Sequence, residues 1–113
     1  MVGEDEMTIH TVYIAGPYTK PDPVLNVRAH CMAAEQVRKM GLLPFVPLLS
    51  HLWHLVSPHD YDYWMEMDLE WVAQCDAVLR LPGESAGADS EVRMAKEMGK
   101  PVFYSVDELR EAR

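Results

Sequence analysis

The chain has 113 residues, 49% of them hydrophobic and 25% charged, which is the balance of one ordinary globular domain with a single core. A formal net charge of -8 excludes the surplus of Lys and Arg that nonspecific contact with nucleic acid needs, and favours a small-molecule ligand. Cys31 and Cys75 form no CxxC pair and no disulfide framework, and neither a signal-peptide core nor a run of about 18 apolar residues is present, so a cytoplasmic protein with no membrane partner is expected. The domain is expected to span residues 1–113, with residues 1–8, which include an acidic start, flexible.

Thr11-Val12-Tyr13-Ile14-Ala15 is rich in β-branched residues and ends at Gly16-Pro17, which predicts a strand entering a turn. Asp22-Pro23 supplies an N-cap and a first-turn proline for a helix to Met40, whose apolar stripe is Val24, Val27, Cys31, Ala34 and Val37. A short second strand is predicted around Phe45 and Val46, between Pro44 and Pro47. From Ser50 to His59 no period is visible, so a long loop containing at most a helical turn is expected. Asp60 caps the next helix, where Tyr61, Trp64, Met65, Trp71, Val72 and Cys75 form a stripe that also holds Asp68. A third strand from Ala77 to Leu81, a helix from Ala86 to Met98, a fourth strand from Val102 to Ser105 and a short helix from Val106 complete the chain. This alternation predicts an α/β fold: a small, doubly wound parallel sheet of four to five strands with helices on both faces, Rossmann-like or flavodoxin-like. Ligands of such sheets bind beyond the carboxyl ends of the strands, where the loops at Gly16, Ser50 and Pro82 converge.

Glu91 is the residue that points to chemistry. The helical period through Ala88, Val92, Ala95 and Met98 puts it on the inward stripe, while Arg93, Lys96, Glu97 and Lys100 fall outside. A carboxylate so placed is suited to attack an electron-poor carbon such as the anomeric carbon of a nucleoside. The Ser85-Ala86-Gly87 segment before it offers a hydroxyl and backbone N–H groups at the positive end of a helix, which suits a phosphate; Ser85 is read equally well as an N-cap alone.

Tyr13-Ile14-Ala15-Gly16-Pro17, Met67-Asp68-Leu69, Cys75-Asp76-Ala77-Val78 and Gly87-Ala88-Asp89-Ser90-Glu91 occur in the order of the motifs of the nucleoside 2-deoxyribosyltransferases and the 2'-deoxynucleoside 5'-phosphate N-hydrolases, which the chain resembles from its first strand to its fourth. Pro17-Tyr18-Thr19 and Leu81-Pro82-Gly83-Glu84-Ser85 bring it closest to a little-characterised bacterial and phage branch. The resemblance implies an enzyme that cleaves the base–sugar bond of a nucleoside or nucleoside 5'-monophosphate through a glutamyl-sugar intermediate, without metal or cofactor. Glu91 takes the role of nucleophile, and Asp68 assists proton transfer to the departing base. Ser85, where the transferases carry an acid, favours a 5'-phosphate, while Asp89 opposes one unless it points away. Homo-oligomers with sites near subunit interfaces are also implied.

Gly16, Pro17, Tyr18, Asn26, His51, Ser85 and Gly87 are the candidate substrate-binding residues. Tyr18 is the strongest candidate for stacking on a base, with Trp53, Tyr61 and Tyr63 read as stacking, core or interface and Trp64 and Trp71 as core or interface. His51, His54 and His59 match no standard zinc spacing and line the base pocket or sit in solvent. Arg28 pairs with a phosphate or, more simply, with a surface acid, and Asp76 caps a neighbouring loop. A noncatalytic nucleotide-sensing module and an NAD glycohydrolase are the alternative functions.

Overall fold

In the computed structural model, residues 8–112 are described. Four strands, β1 (Thr11–Ala15), β2 (Leu43–Phe45), β3 (Ala77–Arg80) and β4 (Val102–Phe103), form one all-parallel sheet in the order β2-β1-β3-β4. Tyr13 of β1 pairs with Phe45 of β2 and Val78 of β3, so the central strand is flanked on both edges. It is also covered on both faces, which explains its unbroken apolar run. Val12, Ile14 and Leu79 pack against Ala33 and Val37 of α1 (Pro23–Lys39) and Leu109 of α5 (Val106–Ala112). Tyr13, Ala15 and Val78 face Val72 of α3 (Tyr61–Gln74) and Ala88 and Ala95 of α4 (Ala86–Glu97). The expected α/β fold with helices on both faces is therefore present. The expected flexible start lies, apart from Thr8, outside the described residues.

Local chemistry fixes the element ends. Asp22 accepts from the N–H groups of Val24 (2.9 Å) and Leu25 (3.1 Å), and Asp60 accepts from that of Tyr63 (2.9 Å), so both predicted caps operate. β2 stops at Phe45 rather than reaching Val46, because Val46 caps a 3-10 turn led by Pro47. β4 is two residues long, not four. Ser105 Oγ accepts from the N–H of Glu108 (3.0 Å) and Glu108 Oε1 from that of Tyr104 (3.0 Å), a reciprocal cap that turns the chain out of the sheet. Asp76 Oδ2 accepts from the N–H groups of His10 (2.8 Å) and Thr11 (3.0 Å) and so fixes the start of β1, the loop-binding role expected of it.

The main departure is α2 (Ser50–Val56), where a loop with at most one helical turn was expected. Its polarity is inverted. His51 and His54 turn inward, while Leu52, Leu55 and Val56 are 66%, 65% and 87% exposed. A helix that turns half-buried histidines inward and exposes leucines gives no inward apolar stripe to read. Among the described residues no helix is long and apolar enough to cross a membrane.

Candidate active site

The chain passes from one face of the sheet to the other between β1 and β3, and the loops after these strands part to open a cavity of about 650 Å³. That is within the ~300–1,000 Å³ of ordinary small-molecule sites. Glu91 lies at its inner end, 5% exposed, and its Oε2 accepts a hydrogen bond of 2.8 Å from the Tyr13 hydroxyl. Asp68, half-buried on the facing side of α3, lies in hydrogen-bonding contact with Glu91.

Burial raises the Glu91 carboxyl to about 8, with the Asp68 charge adding to the rise and the Tyr13 hydroxyl and Arg80 guanidinium opposing it. Burial likewise raises Asp68 to about 6, against the pull of its contact with Glu91. Near neutral pH the two carboxyls therefore hold one proton between them. The Tyr13 phenol is raised well above its ordinary value by burial and by the Glu91 charge, so it remains a donor. One ionised and one protonated carboxyl at the end of a cavity can supply a nucleophile and an acid.

The same cavity gathers most of the residues singled out in the sequence: Gly16, Tyr18 and His51 on one part of its lining, Ser85 and Gly87 on another. The Tyr18 hydroxyl meets His51 Nδ1, so these two form a pair. Asn26 and Pro17 line a separate recess of about 150 Å³. The Asn26 amide donates to the carbonyls of Tyr18 (2.8 Å) and Lys20 (3.0 Å), which fixes the loop that carries Tyr18. Ser85 caps α4, accepting from the Ala88 N–H at 3.1 Å as its N-cap reading expects, and also lines the cavity. Gly87 sits where α3 closes on α4; a Cβ there would lie 3.2 Å from both Met65 Sδ and the Tyr61 hydroxyl. Arg28 is exposed.

Two residues that shape the site, His30 in its lining and Arg80 behind its loop, were not foreseen. Arg80, the one charge in the apolar run of β3, donates to the carbonyls of Leu81 and Gly83 (2.9 Å) and pairs with Asp89 at 3.0 Å. It ties down the loop before α4 and holds the Asp89 carboxylate in an ion pair. The loop also needs Gly83, at φ 119°, where a Cβ would lie 2.5 Å from Pro17 Cγ. His30 of α1 is 1% exposed with neither ring nitrogen hydrogen-bonded, although the Pro17 carbonyl is nearby. Burial lowers it to about 4, so it is neutral. Its signal in the sequence was a histidine one position away from the apolar stripe.

His54 Nδ1 accepts from the Trp64 indole N–H (2.9 Å) and the His59 backbone N–H (3.2 Å). Trp64 thus lines the cavity and holds a histidine, rather than serving only as core. Among the described residues no three His, Cys, Asp or Glu side chains are grouped to hold a metal ion.

A search of the solved structures finds the same fold in a 2-deoxyribosyltransferase from Leishmania mexicana (TM-score 0.61, 19% identity, 82% of this chain covered) and in one from Bacillus psychrosaccharolyticus (TM-score 0.58, 20% identity, 81% of this chain covered). The chain spans 61% of the first protein's length and 69% of the second's. No curated protein matches it. Residues 10–104 match a family described as a domain of unknown function, DUF4406, and it is to this family that the chain belongs.

Proposed function

We propose that the protein cleaves the base–sugar bond of a nucleoside or nucleoside 5'-monophosphate through a covalent sugar ester of Glu91. The observation that carries this reading is the contact between buried Glu91 and half-buried Asp68 in the lining of the cavity, on the fold of the deoxyribosyltransferases. Ionised Glu91 forms a bond to C1' as the C1'–N bond breaks, and the bonding pair leaves with the base nitrogen, which takes the proton from Asp68. Water then attacks C1', gives its proton to Asp68 and releases Glu91; a second base arriving instead gives transfer. Two displacements at C1' retain its configuration. Asp68 and Glu91 are adjacent, and Tyr13 holds Glu91 from below through a hydroxyl that favours the ionised form.

The Ser85 hydroxyl and the start of α4 support a 5'-phosphate, with Asp89 held away by Arg80. Incubating wild type and Glu91→Ala with deoxyribo- and ribonucleoside 5'-monophosphates, their nucleosides and NAD, and following free base by chromatography, tests the reading. Base released by wild type alone is expected. Silence across the panel with ligand binding intact would instead favour a sensing module. A homo-oligomer that covers Leu52, Leu55 and Val56 belongs to the same reading. Light scattering is expected to give at least a dimer mass that falls when Leu52 and Leu55 become Lys; a wild-type monomer at micromolar concentration removes the idea.

A further inference from the structure

We infer that His54 determines base specificity by donating a hydrogen bond from Nε2 to an acceptor atom of the leaving base, an inference that rests on the N-glycosidic reading above. The Trp64 indole N–H and the His59 amide N–H are donors with no acceptor capacity, and both point at His54 Nδ1. Nδ1 must therefore offer its lone pair, and the ring proton resides on Nε2. No acceptor among the described residues takes that N–H, and His54 lines the cavity. The cavity lining thus includes an N–H donor from which no described protein group accepts.

Its orientation is held firmly. The His59 ring stacks on Tyr63 with centroids 3.7 Å apart, and the Trp64 ring stands edge-on to both His54 (5.7 Å) and His59 (5.6 Å). Turning the His54 ring would leave the Trp64 N–H unpaired.

Position identifies the base as the part of the ligand that His54 meets. Trp64 and Asp68 are four residues apart on α3, one above the other, and with Tyr61 and Met65 they form the α3 wall of the cavity. A base that receives its proton from Asp68 must lie along this wall, beside the indole that holds His54. As the C1'–N bond breaks, its electron pair accumulates on the base, and a hydrogen bond from Nε2 to a carbonyl oxygen or ring nitrogen strengthens. The proton stays on His54 throughout.

The test uses the full chain as wild type, His54→Gln and His54→Phe. Each is assayed on the best-cleaved compound of the panel and on the analogue that lacks a base acceptor: the 3-deaza and 7-deaza forms of a purine, or the 2-deoxo form of a pyrimidine. His54→Phe is expected to lower kcat/KM on the parent by ~10–100-fold, the size of one lost hydrogen bond in a closed site. It should lower kcat/KM no further on one of the analogues, and His54→Gln, which keeps an N–H donor, should recover most of the loss. Equal losses on parent and every analogue would overturn the inference by reducing His54 to a prop for Trp64. A loss that vanishes when the 5'-phosphate is removed would assign the donor to phosphate and overturn it too. If His54→Phe does not fold, wild type against His54→Gln on the deaza series decides, since moving the donor must change the ranking of the analogues. Wild-type base release with no effect of His54 defeats this inference alone, whereas a wild type inert on the whole panel defeats the N-glycosidic reading and this inference together.

Discussion

Glu91→Gln is expected to abolish base release and to make the protein more stable above pH 8. Loss of the nucleophile should lower turnover by about a thousandfold or more. The stability gain follows from linkage. The Glu91 carboxyl titrates near 4.5 when unfolded and near 8 when folded, because burial and the Asp68 charge disfavour its ionised form. A group whose pKa rises on folding contributes its full stability below the unfolded value and loses it as pH climbs through the folded value. The wild type therefore carries a penalty that grows between pH 4.5 and 8, on the order of a few kcal/mol. Glutamine does not titrate, keeps an oxygen for the Tyr13 hydroxyl and offers an N–H to Asp68. Its Tm is expected to exceed that of wild type by ~5–15 °C at pH 8.5 and to approach it at pH 5. A Tm difference that is constant across this range, or a less stable variant at pH 8.5, would contradict the account. A core that tolerates such a penalty is not optimised for stability at this position.

Glu91 was legible because a carboxylate on an otherwise apolar helical stripe violates the pattern around it, and Asp68 between Trp64 and Trp71 does the same. The caps at Asp22, Asp60 and Ser85 were legible because capping is local chemistry that needs no tertiary partner. α2 was hidden because its orientation is set by the cavity and not by the core: the inward residues are histidines, and the period of its leucines describes the solvent side. β4 was overextended because Tyr104 and Ser105 look like strand residues until Glu108 captures the Tyr104 N–H. His30 and Arg80 were invisible for a further reason. Each acts at the switch point between β1 and β3, and nothing in a linear sequence says that the loops after these strands touch at Pro17 and Gly83.

The pH dependence of kcat/KM is expected to be bell-shaped, rising near pH 6 and falling near pH 8, the values that bound the single-proton form of the Asp68–Glu91 pair. Below the lower value both carboxyls are protonated and no nucleophile exists. Above the upper value both are ionised and the departing base finds no proton. In the free site the proton rests more on Glu91, whose affinity for it is higher, so reaction requires its passage across one hydrogen bond to Asp68. A base nitrogen arriving beside Asp68 supplies the pull. Asp68→Asn removes the acid and also a charge that raises Glu91, so activity should fall by ~10²–10⁴-fold, the falling limb should disappear, and the one remaining limb should report ionisation of Glu91 alone, below about 8. A 7-methylpurine nucleoside provides the discriminating control. Its base is already cationic, leaves as a neutral molecule and needs no proton, so the loss in Asp68→Asn should shrink to a small factor. A flat wild-type profile from about pH 5 to about pH 9, or equal losses on the methylated and ordinary substrates, would show that the proton carried by the pair takes no part in departure of the base.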